Sequence, residues 1–204
     1  MKRKPIVLGV DDAPFCLFER ERAGPRFVPL VGVLLKGFQL VCVTYDRVEI
    51  DGTDATEAIV RLVGKTRHEP EIQVVMTDGV TFGGFNVVDL EEVAARTGKK
   101  VVSVSLVDPD FDAIKSALQK HFKDWEARWA VVQKSRPLLS YASNPDVSPK
   151  KVHAKAVGLE ENELRALLRR VSKYGALPEP VRVAHVVASG LRYLDAAWLE
   201  SLEK

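Results

Sequence analysis

The chain begins with three apolar runs of the length and composition typical of β-strands. The first covers residues 6–10 and ends at Asp11 and Asp12, as expected for a buried strand. Two further runs cover residues 28–35 and 38–45. Lys36-Gly37 lies between them, and glycine supplies the positive φ that a tight hairpin needs. These runs predict an antiparallel meander of three strands.

After the third run, the spacing of apolar residues changes to a pattern that predicts helices alternating with strands. Asp54 or Thr53 can N-cap a helix that Gly64 ends, with Glu57 in the capping-box position. Strands are predicted over 73–77, 101–105 and 152–157. Further helices are predicted over 89–95, 110–118, 125–133, 160–174 and 184–194. Residues 134–150 contain three prolines and are predicted to form a loop.

The resulting element order is β-β-β-α-β-α-β-α, followed by a helical C-terminal part. This order predicts an α/β protein with a ribonuclease H-like mixed sheet, in which three antiparallel strands lead into parallel crossovers flanked by helices. The 204 residues suit one domain. We expect its core to span about residues 5–133 and its C-terminal extension about 150–204.

The composition excludes some protein classes and leaves the partner open. With 46% hydrophobic and 28% charged residues, the chain is neither disordered nor a coiled-coil rod. The net charge is +2, but residues 1–100 carry −1 and residues 101–204 carry +3. A basic second half favours a nucleic-acid backbone as partner, although a solvated, ion-paired surface has the same composition.

Cysteine content and the N-terminus bear on location. Cys16 and Cys42 are the two cysteines, and two buried free thiols are the expected state inside a cell. The apolar run after the basic N-terminus is too short for a signal peptide or a membrane span. We therefore expect a cytoplasmic protein without a membrane partner.

Acidic residues occur where strands end. Asp11 and Asp12 follow the first strand, Asp51 and Asp54 precede the first helix, and Asp78 ends the fourth strand. In a ribonuclease H-like sheet strands one and four are neighbours, so Asp11 and Asp78 would face each other. Clustered carboxylates repel unless a cation joins them, and Mg²⁺ prefers such oxygen ligands. Taken singly, Asp78 is also a common turn former and Asp54 a common helix cap.

Two other features are candidates for the same site. His185 is followed by apolar residues in the last predicted helix, and it is either a buried histidine or a metal ligand or proton shuttle. Residues 82–86 (Phe-Gly-Gly-Phe-Asn) precede the predicted helix cap Asp89. Backbone N–H groups there suit phosphate, and a phenylalanine could stack on a base. A plain glycine loop is the alternative.

Four segments together resemble a known family: residues 10–15, 51–56, 78–89 and 178–185. They look like the archaeal endonuclease dU family, which is related distantly to endonuclease V. That resemblance implies that Asp11 and Asp78 are Mg²⁺ ligands and that His185 helps to complete the metal site. For the middle acid the chain offers Asp51, Asp54 or Glu57, and we choose Asp54.

The chain also departs from endonuclease V at two places. The Tyr-Ile-Pro wedge that probes the lesion is absent, and Gly-Gly-Phe-Asn replaces the His-Pro-Arg stretch. These departures bear on lesion choice, whether inosine, uracil or neither.

The leading hypothesis is therefore a Mg²⁺-dependent endonuclease, with Mn²⁺ able to substitute, that cleaves near deaminated bases in DNA repair. Asp11, Asp54 and Asp78 would hold the metal and His185 would assist catalysis. The predicted nucleic-acid-binding residues are Gly83, Gly84, Phe85, Asn86 and Arg182. DNA is expected as the substrate more than RNA.

Two alternative functions remain open. One is a binding module without catalysis, which would bind without Mg²⁺, and the other is an RNA-directed nuclease. The sequence leaves the oligomeric state open.

Overall fold

The computed structural model describes residues 4–15 and 26–191. The strands of this part are β1 Ile6–Asp12, β2 Phe27–Lys36, β3 Gln39–Glu49, β4 Val74–Asp78, β5 Thr81–Phe82, β6 Asn86–Val87, β7 Lys100–Ser105, β8 Leu139–Tyr141 and β9 Val152–Val157. Its helices are α1 Ala55–Lys65, α2 Leu90–Thr97, α3 Phe111–His121, α4 Trp125–Lys134, α5 Glu161–Val171 and α6 Glu179–Gly190.

Seven strands form one mixed sheet in the order β3-β2-β1-β4-β7-β9-β8. β1, β2 and β3 are antiparallel, whereas β1, β4 and β7 are parallel. β9 then pairs antiparallel with β7, and β8 with β9. The predicted α/β fold with a mixed sheet is confirmed, including the adjacency of the first and fourth strands. The chain after α4 adds two strands to the sheet, β8 and β9, besides the helices α5 and α6.

Helices cover both faces of the sheet. α1 and α2 pack on one face through Ile59, Leu62 and Val93, which join the core that contains Leu8 and Val10. On the other face the buried side of α5 packs against Val7, Val74, Met76, Val102 and Val104. Because side chains alternate along a strand, each face of β1 contributes to a different core.

Helix α6 lies directly on β1, and Gly9 permits this approach. A Cβ at residue 9 would lie 2.0 Å from the carbonyl oxygen of Pro180, closer than any real contact. The helix is anchored by buried Val181, Ala184 and Ala188. It begins at Glu179, five residues before the predicted start at residue 184, because Pro180 is tolerated in the first turn of a helix.

Several local predictions need correction. Asp54 occupies the N-cap position of α1, but its side chain makes no cap hydrogen bond, and the helix continues through Gly64 to Lys65. The predicted loop over 134–150 contains β8, and the glycine segment forms the two-stranded hairpin β5–β6. By contrast, Asp89 caps α2 as predicted, since it accepts hydrogen bonds from the amides of Glu91 and Glu92.

One of the two cysteines and most of the last predicted helix lie within the described residues. Cys42 is a free thiol that is partly rather than fully buried, and Cys16 lies outside the described residues. Residues 192–194, the end of the predicted helix over 184–194, also lie outside the described residues. Of the helices in the described ranges, none has the length and apolar character required to cross a bilayer.

Candidate metal and active site

Asp11 and Asp78 lie side by side at the carboxyl ends of two parallel strands. The last paired residues of β1 and β4 are Val10 and Thr77, and each is followed directly by an aspartate. Strand alternation places Asp11 on the same side of β1 as Gly9, the side covered by α6. Asp78 likewise shares its side of β4 with Met76, which packs in the core beneath α5 and α6.

His185 lies on α6, 174 residues after Asp11 in the chain. The packing of this helix on β1 places His185 beside the pair. Its Nδ1 lies 2.8 Å from Oδ2 of Asp11, whose other oxygen accepts a hydrogen bond from the amide of Asp12 at 2.9 Å. One ligand atom each from Asp11, Asp78 and His185 lie within 4.8 Å of one another. The His185 side chain is 59% exposed, so it is not the buried structural histidine considered as an alternative.

The electrostatics of the pair favour a bound cation. Burial raises the pKa of Asp11 above its usual value, although the hydrogen bond with His185 opposes that shift. Burial also raises the pKa of Asp78, to about 6, and the negative charge of Asp11 adds to the shift. Two partly desolvated carboxylates beside each other destabilise their own ionised forms, and a cation between them would relieve this.

Asp12 is a third acid at the same strand end, but it faces away from α6. Its Oδ2 accepts a hydrogen bond from the amide of Gly83 at 3.0 Å. Burial raises its pKa to about 7, with further contributions from the charges of Asp11 and Asp78. The adjacent pair Asp11-Asp12 therefore serves two sides of the sheet, with one side chain near His185 and the other against the glycine hairpin.

Asp54, the predicted third ligand, is not in the group formed by Asp11, Asp78 and His185. Its Oδ1 accepts hydrogen bonds from the amide of Glu49 at 3.0 Å and from Nδ2 of Asn86 at 2.6 Å. The alternatives are engaged as well. Asp51 Oδ1 accepts from the amide of Phe85 at 2.9 Å, and Glu57 forms an ion pair with Arg96. The identity of a third ligand stays a prediction.

The predicted nucleic-acid-binding residues of the glycine hairpin differ in accessibility. Asn86 is fully buried: its Oδ1 accepts from the amide of Ala55, and its Nδ2 donates to Glu49 O and Asp54. It therefore has a structural role and offers no surface to a nucleic acid. Gly83 is also buried, whereas Gly84 and Phe85 are half-buried.

Contacts of Asp12 and Arg128 that the sequence did not predict hold this hairpin beside the site. Asp12 fixes Gly83, as described above. Arg128 of α4, only 8% exposed, donates from Nη1 to the carbonyls of Gly52 and Phe85 at 2.7 and 2.8 Å. Its Nε donates to Asp124, and its guanidinium lies 4.3 Å from the centre of the Phe122 ring. Nothing in its local sequence signals the contacts with Phe85 and Gly52, because these residues lie 43 and 76 positions away.

The donor set suits a small, hard divalent cation. Asp11 and Asp78 provide carboxylate oxygens, which Mg²⁺ and Mn²⁺ prefer, and His185 adds an imidazole that Mn²⁺ also accepts. No thiolate is part of the group, as a soft-metal site would require. The residues present therefore fit a divalent metal.

Comparison with known proteins identifies the family. The model of the family "Endonuclease dU" matches residues 4–192. The chain belongs to the endonuclease dU family. A UPF0215 protein of Methanothermobacter thermautotrophicus is 38% identical over 192 residues, which cover 94% of this chain and 89% of that protein. A UPF0215 protein of Thermococcus gammatolerans is 38% identical over 186 residues, or 91% of each chain.

Solved structures of other proteins share the fold of this family member. A crystal structure of a protein of unknown function from Archaeoglobus fulgidus matches with a TM-score of 0.79 and 27% identity, covering 94% of this chain and all of that one. Human ENDOV matches with a TM-score of 0.55 and 17% identity, covering 91% and 83% of the two chains. The predicted distant relation to endonuclease V is thus confirmed at the level of the fold.

Proposed function

We propose that this endonuclease dU family member is a divalent-metal-dependent endonuclease that hydrolyses phosphodiester bonds. The observation that carries the proposal is the convergence of Asp11, Asp78 and His185 within 4.8 Å at the ends of two parallel strands. Their positions depend on β1, β4 and α6 packing together. Such a cluster of carboxylates has no evident structural purpose, because burial raises the pKa of both Asp11 and Asp78 and the charge of Asp11 adds to the shift of Asp78.

In this proposal Asp11 and Asp78 hold Mg²⁺ or Mn²⁺. Such an ion, when bound, polarises the phosphoryl oxygens and lowers the pKa of a water nucleophile. Asp11 also orients the imidazole of His185 through Nδ1. Because His185 remains mostly exposed, its other ring nitrogen can exchange a proton with the attacking water or with the leaving oxygen.

The substrate is proposed to be DNA with a deaminated base. The family description names an endonuclease. In addition, an endonuclease V of Ciona intestinalis with a TM-score of 0.53 and 14% identity to this chain, which covers 90% of this chain and 83% of that one, was crystallised with DNA containing inosine followed by a ribo-adenosine. The charge of +3 on residues 101–204 suits a polyanion.

The test uses Asp11→Asn and Asp78→Asn, each nearly isosteric with the native residue. We expect cleavage of labelled oligonucleotides in Mg²⁺ or Mn²⁺ to fall by roughly 100-fold or more in both variants, because each removes a metal-binding charge. Asp112→Asn, an exposed aspartate on α3, is the matched control, and thermal melting checks that all variants fold. Asp54→Asn, assayed in parallel, decides whether the predicted third ligand contributes.

The substrates are single- and double-stranded DNA and RNA that contain inosine, uracil or neither. Full activity in both variants, or activity that survives EDTA, would contradict the proposal. Binding of oligonucleotides without cleavage and without dependence on Mg²⁺ would instead support a non-catalytic binding module. Preferential cleavage of RNA would keep the chemistry but correct the substrate.

A further inference from the structure

A row of cationic and aromatic side chains leads away from His185 across the surface. It consists of His185, Arg182, Tyr174, Lys173 and Phe38, and we call it the α6 strip. Arg182 and His185 are three residues apart on α6, so they lie on one side of that helix. Buried Val181 and Ala184 face the sheet instead. Tyr174 is 68% exposed and Phe38 is 47% exposed.

Four members of the α6 strip are joined by cation–π contacts, namely Arg182, Tyr174, Lys173 and Phe38. Nζ of Lys173 lies 4.9 Å from the ring centre of Tyr174 and 5.3 Å from that of Phe38. The guanidinium carbon of Arg182 lies 5.7 Å from the ring centre of Tyr174. Cations at these distances are attracted to the aromatic faces. The aromatic rings and the positive charges therefore form one continuous surface, although they come from a hairpin tip, the residues after α5, and α6.

A buried acid anchors the middle of the strip. Glu179 is only 3% exposed, and its Oε2 accepts from Nε and Nη2 of Arg182 at 2.7 and 2.6 Å. Its Oε1 accepts from the backbone amide of Tyr174 at 3.0 Å. One carboxylate thus fixes both Arg182 and Tyr174, and leaves Nη1 of Arg182 without a hydrogen-bond partner among the described residues. A preorganised cation of this kind loses little entropy when it binds an anion.

The strip has a direction and a length. At one end His185 contacts Asp11, and at the other Phe38 lies in the β2–β3 hairpin next to Lys36, which pairs with Ile6. Asp11 lies five residues beyond Ile6 on β1, a distance of about 17 Å along the strand. Since one strand of stacked DNA rises 3.4 Å per nucleotide, this length corresponds to about five nucleotides.

We propose that the α6 strip binds single-stranded nucleic acid that flanks the scissile bond, with a base stacked on Tyr174 and phosphates at Arg182 and Lys173. This inference rests on the proposed nuclease function. The acid of the strip, Glu179, is already paired with Arg182, so it does not oppose the binding of phosphates. An accessible aromatic ring beside such charge suits an unstacked base better than a duplex, whose bases are covered.

The test measures binding by the full chain in EDTA, which prevents metal-dependent cleavage. The probes are fluorescent single-stranded DNA oligonucleotides of increasing length and a series with 2-aminopurine at successive positions. We expect Tyr174→Ala to weaken binding by about 5- to 100-fold and to abolish quenching of one 2-aminopurine position. Tyr174→Phe should retain both. Arg182→Ala should weaken binding and reduce the dependence of log affinity on log salt by about one.

Lys115→Ala is the matched control for Lys173→Ala, because Lys115 lies over the Trp129 ring at 5.6 Å on other helices. Lys173→Ala should weaken binding and Lys115→Ala should not. Unchanged affinity in Tyr174→Ala and Arg182→Ala, or no binding of single strands by the wild type, overturns the inference. Strip-dependent binding without any cleavage would refute the nuclease proposal alone. Cleavage with unchanged KM in the strip variants would refute the strip alone.

Discussion

At the scale of single residues, Gly9 determines whether the site can form. We expect Gly9→Ala to cost about 1–3 kcal/mol of unfolding free energy, because its Cβ would meet the backbone of Pro180 and Val181 rather than a movable side chain. The helix would have to move away from β1, and His185 would leave Asp11. The variant should therefore lose a larger fraction of its proposed nuclease activity than of its unfolding free energy. Denaturant unfolding and cleavage assays measure the two effects.

Gly64→Ala is the control for that substitution. A Cβ at Gly64 meets nothing within 4 Å, and the residue lies inside α1, where alanine is favoured by up to about 1 kcal/mol. It should leave activity unchanged and stability equal or higher. Equal stability and activity of Gly9→Ala and the wild type would show that α6 does not need this close approach.

Some residues of the site could be predicted from the sequence, and others could not. Asp11 and Asp78 were predictable because strand ends and strand order follow from apolar runs, and His185 because its segment resembles a family motif. The contact of Asp12 with Gly83 was not, since it joins residues 71 positions apart. Asp54 was chosen from Asp51, Asp54 and Glu57 as the middle acid that the family resemblance implies, whereas its carboxylate lies against Asn86 and Glu49.

At the scale of elements, Arg128 ties α4 to the glycine hairpin and to the loop before α1. We expect Arg128→Lys to cost roughly 1–3 kcal/mol, because lysine cannot reproduce the fork that serves Gly52, Phe85 and Asp124 together. Thermal melting measures the loss. Hydrogen exchange at the Phe85 amide, which donates to Asp51, should accelerate as the hairpin loosens.

Arg96→Lys is the matched control for this element. Arg96 also forms two ion pairs, with Glu57 and Glu92, but all three side chains are exposed. Exposed pairs contribute at most about 1 kcal/mol, so this variant should melt close to the wild type. If both arginine variants lost the same stability, the buried connections of Arg128 would not be what holds the hairpin.

Elements with a strong local signal matched the prediction most closely. The β2–β3 hairpin and α2 have a turn glycine and a capping aspartate in sequence. β8 was missed because it is three residues long and lies in a proline-rich segment, and its strand conformation depends on pairing with β9. The early start of α6 was missed because Pro180, usually a helix breaker, lies in the first turn.

At the scale of the whole molecule, the acids of the site oppose folding when no cation is bound. The folded-state pKa values of Asp12 and Asp78, about 7 and about 6, exceed the ordinary value of 3.8. Well below pH 3.8 both states hold these protons and the penalty is absent. As the pH rises from 4 to 7 the unfolded chain releases its protons first, so the unfolding free energy of the metal-free protein falls.

Replacing one of these acids should therefore stabilise the metal-free protein at neutral pH. We expect Asp12→Asn to melt like the wild type at pH 4 and to gain on the order of 2–4 kcal/mol by pH 8, since each pKa unit corresponds to about 1.4 kcal/mol. Its side-chain oxygen can still accept from the Gly83 amide. Urea unfolding in EDTA across this pH range measures the difference, with Asp112→Asn as control. Parallel pH curves for wild type and Asp12→Asn would contradict it.

A divalent cation should reverse the same penalty, which links stability to the proposed chemistry. Mg²⁺ and Mn²⁺ bind ionised carboxylates, so either ion should raise the melting temperature of the wild type more at pH 8 than at pH 5. Asp78→Asn should lose most of that gain, because it removes one of the two carboxylates in the group with His185, whereas Asp112→Asn should keep it. Calorimetric titration with Mn²⁺ at both pH values provides an independent measurement. An equal cation effect on the wild type and Asp78→Asn at pH 8 would mean that the ion binds elsewhere, and the carboxylates at the ends of β1 and β4 would then need another explanation.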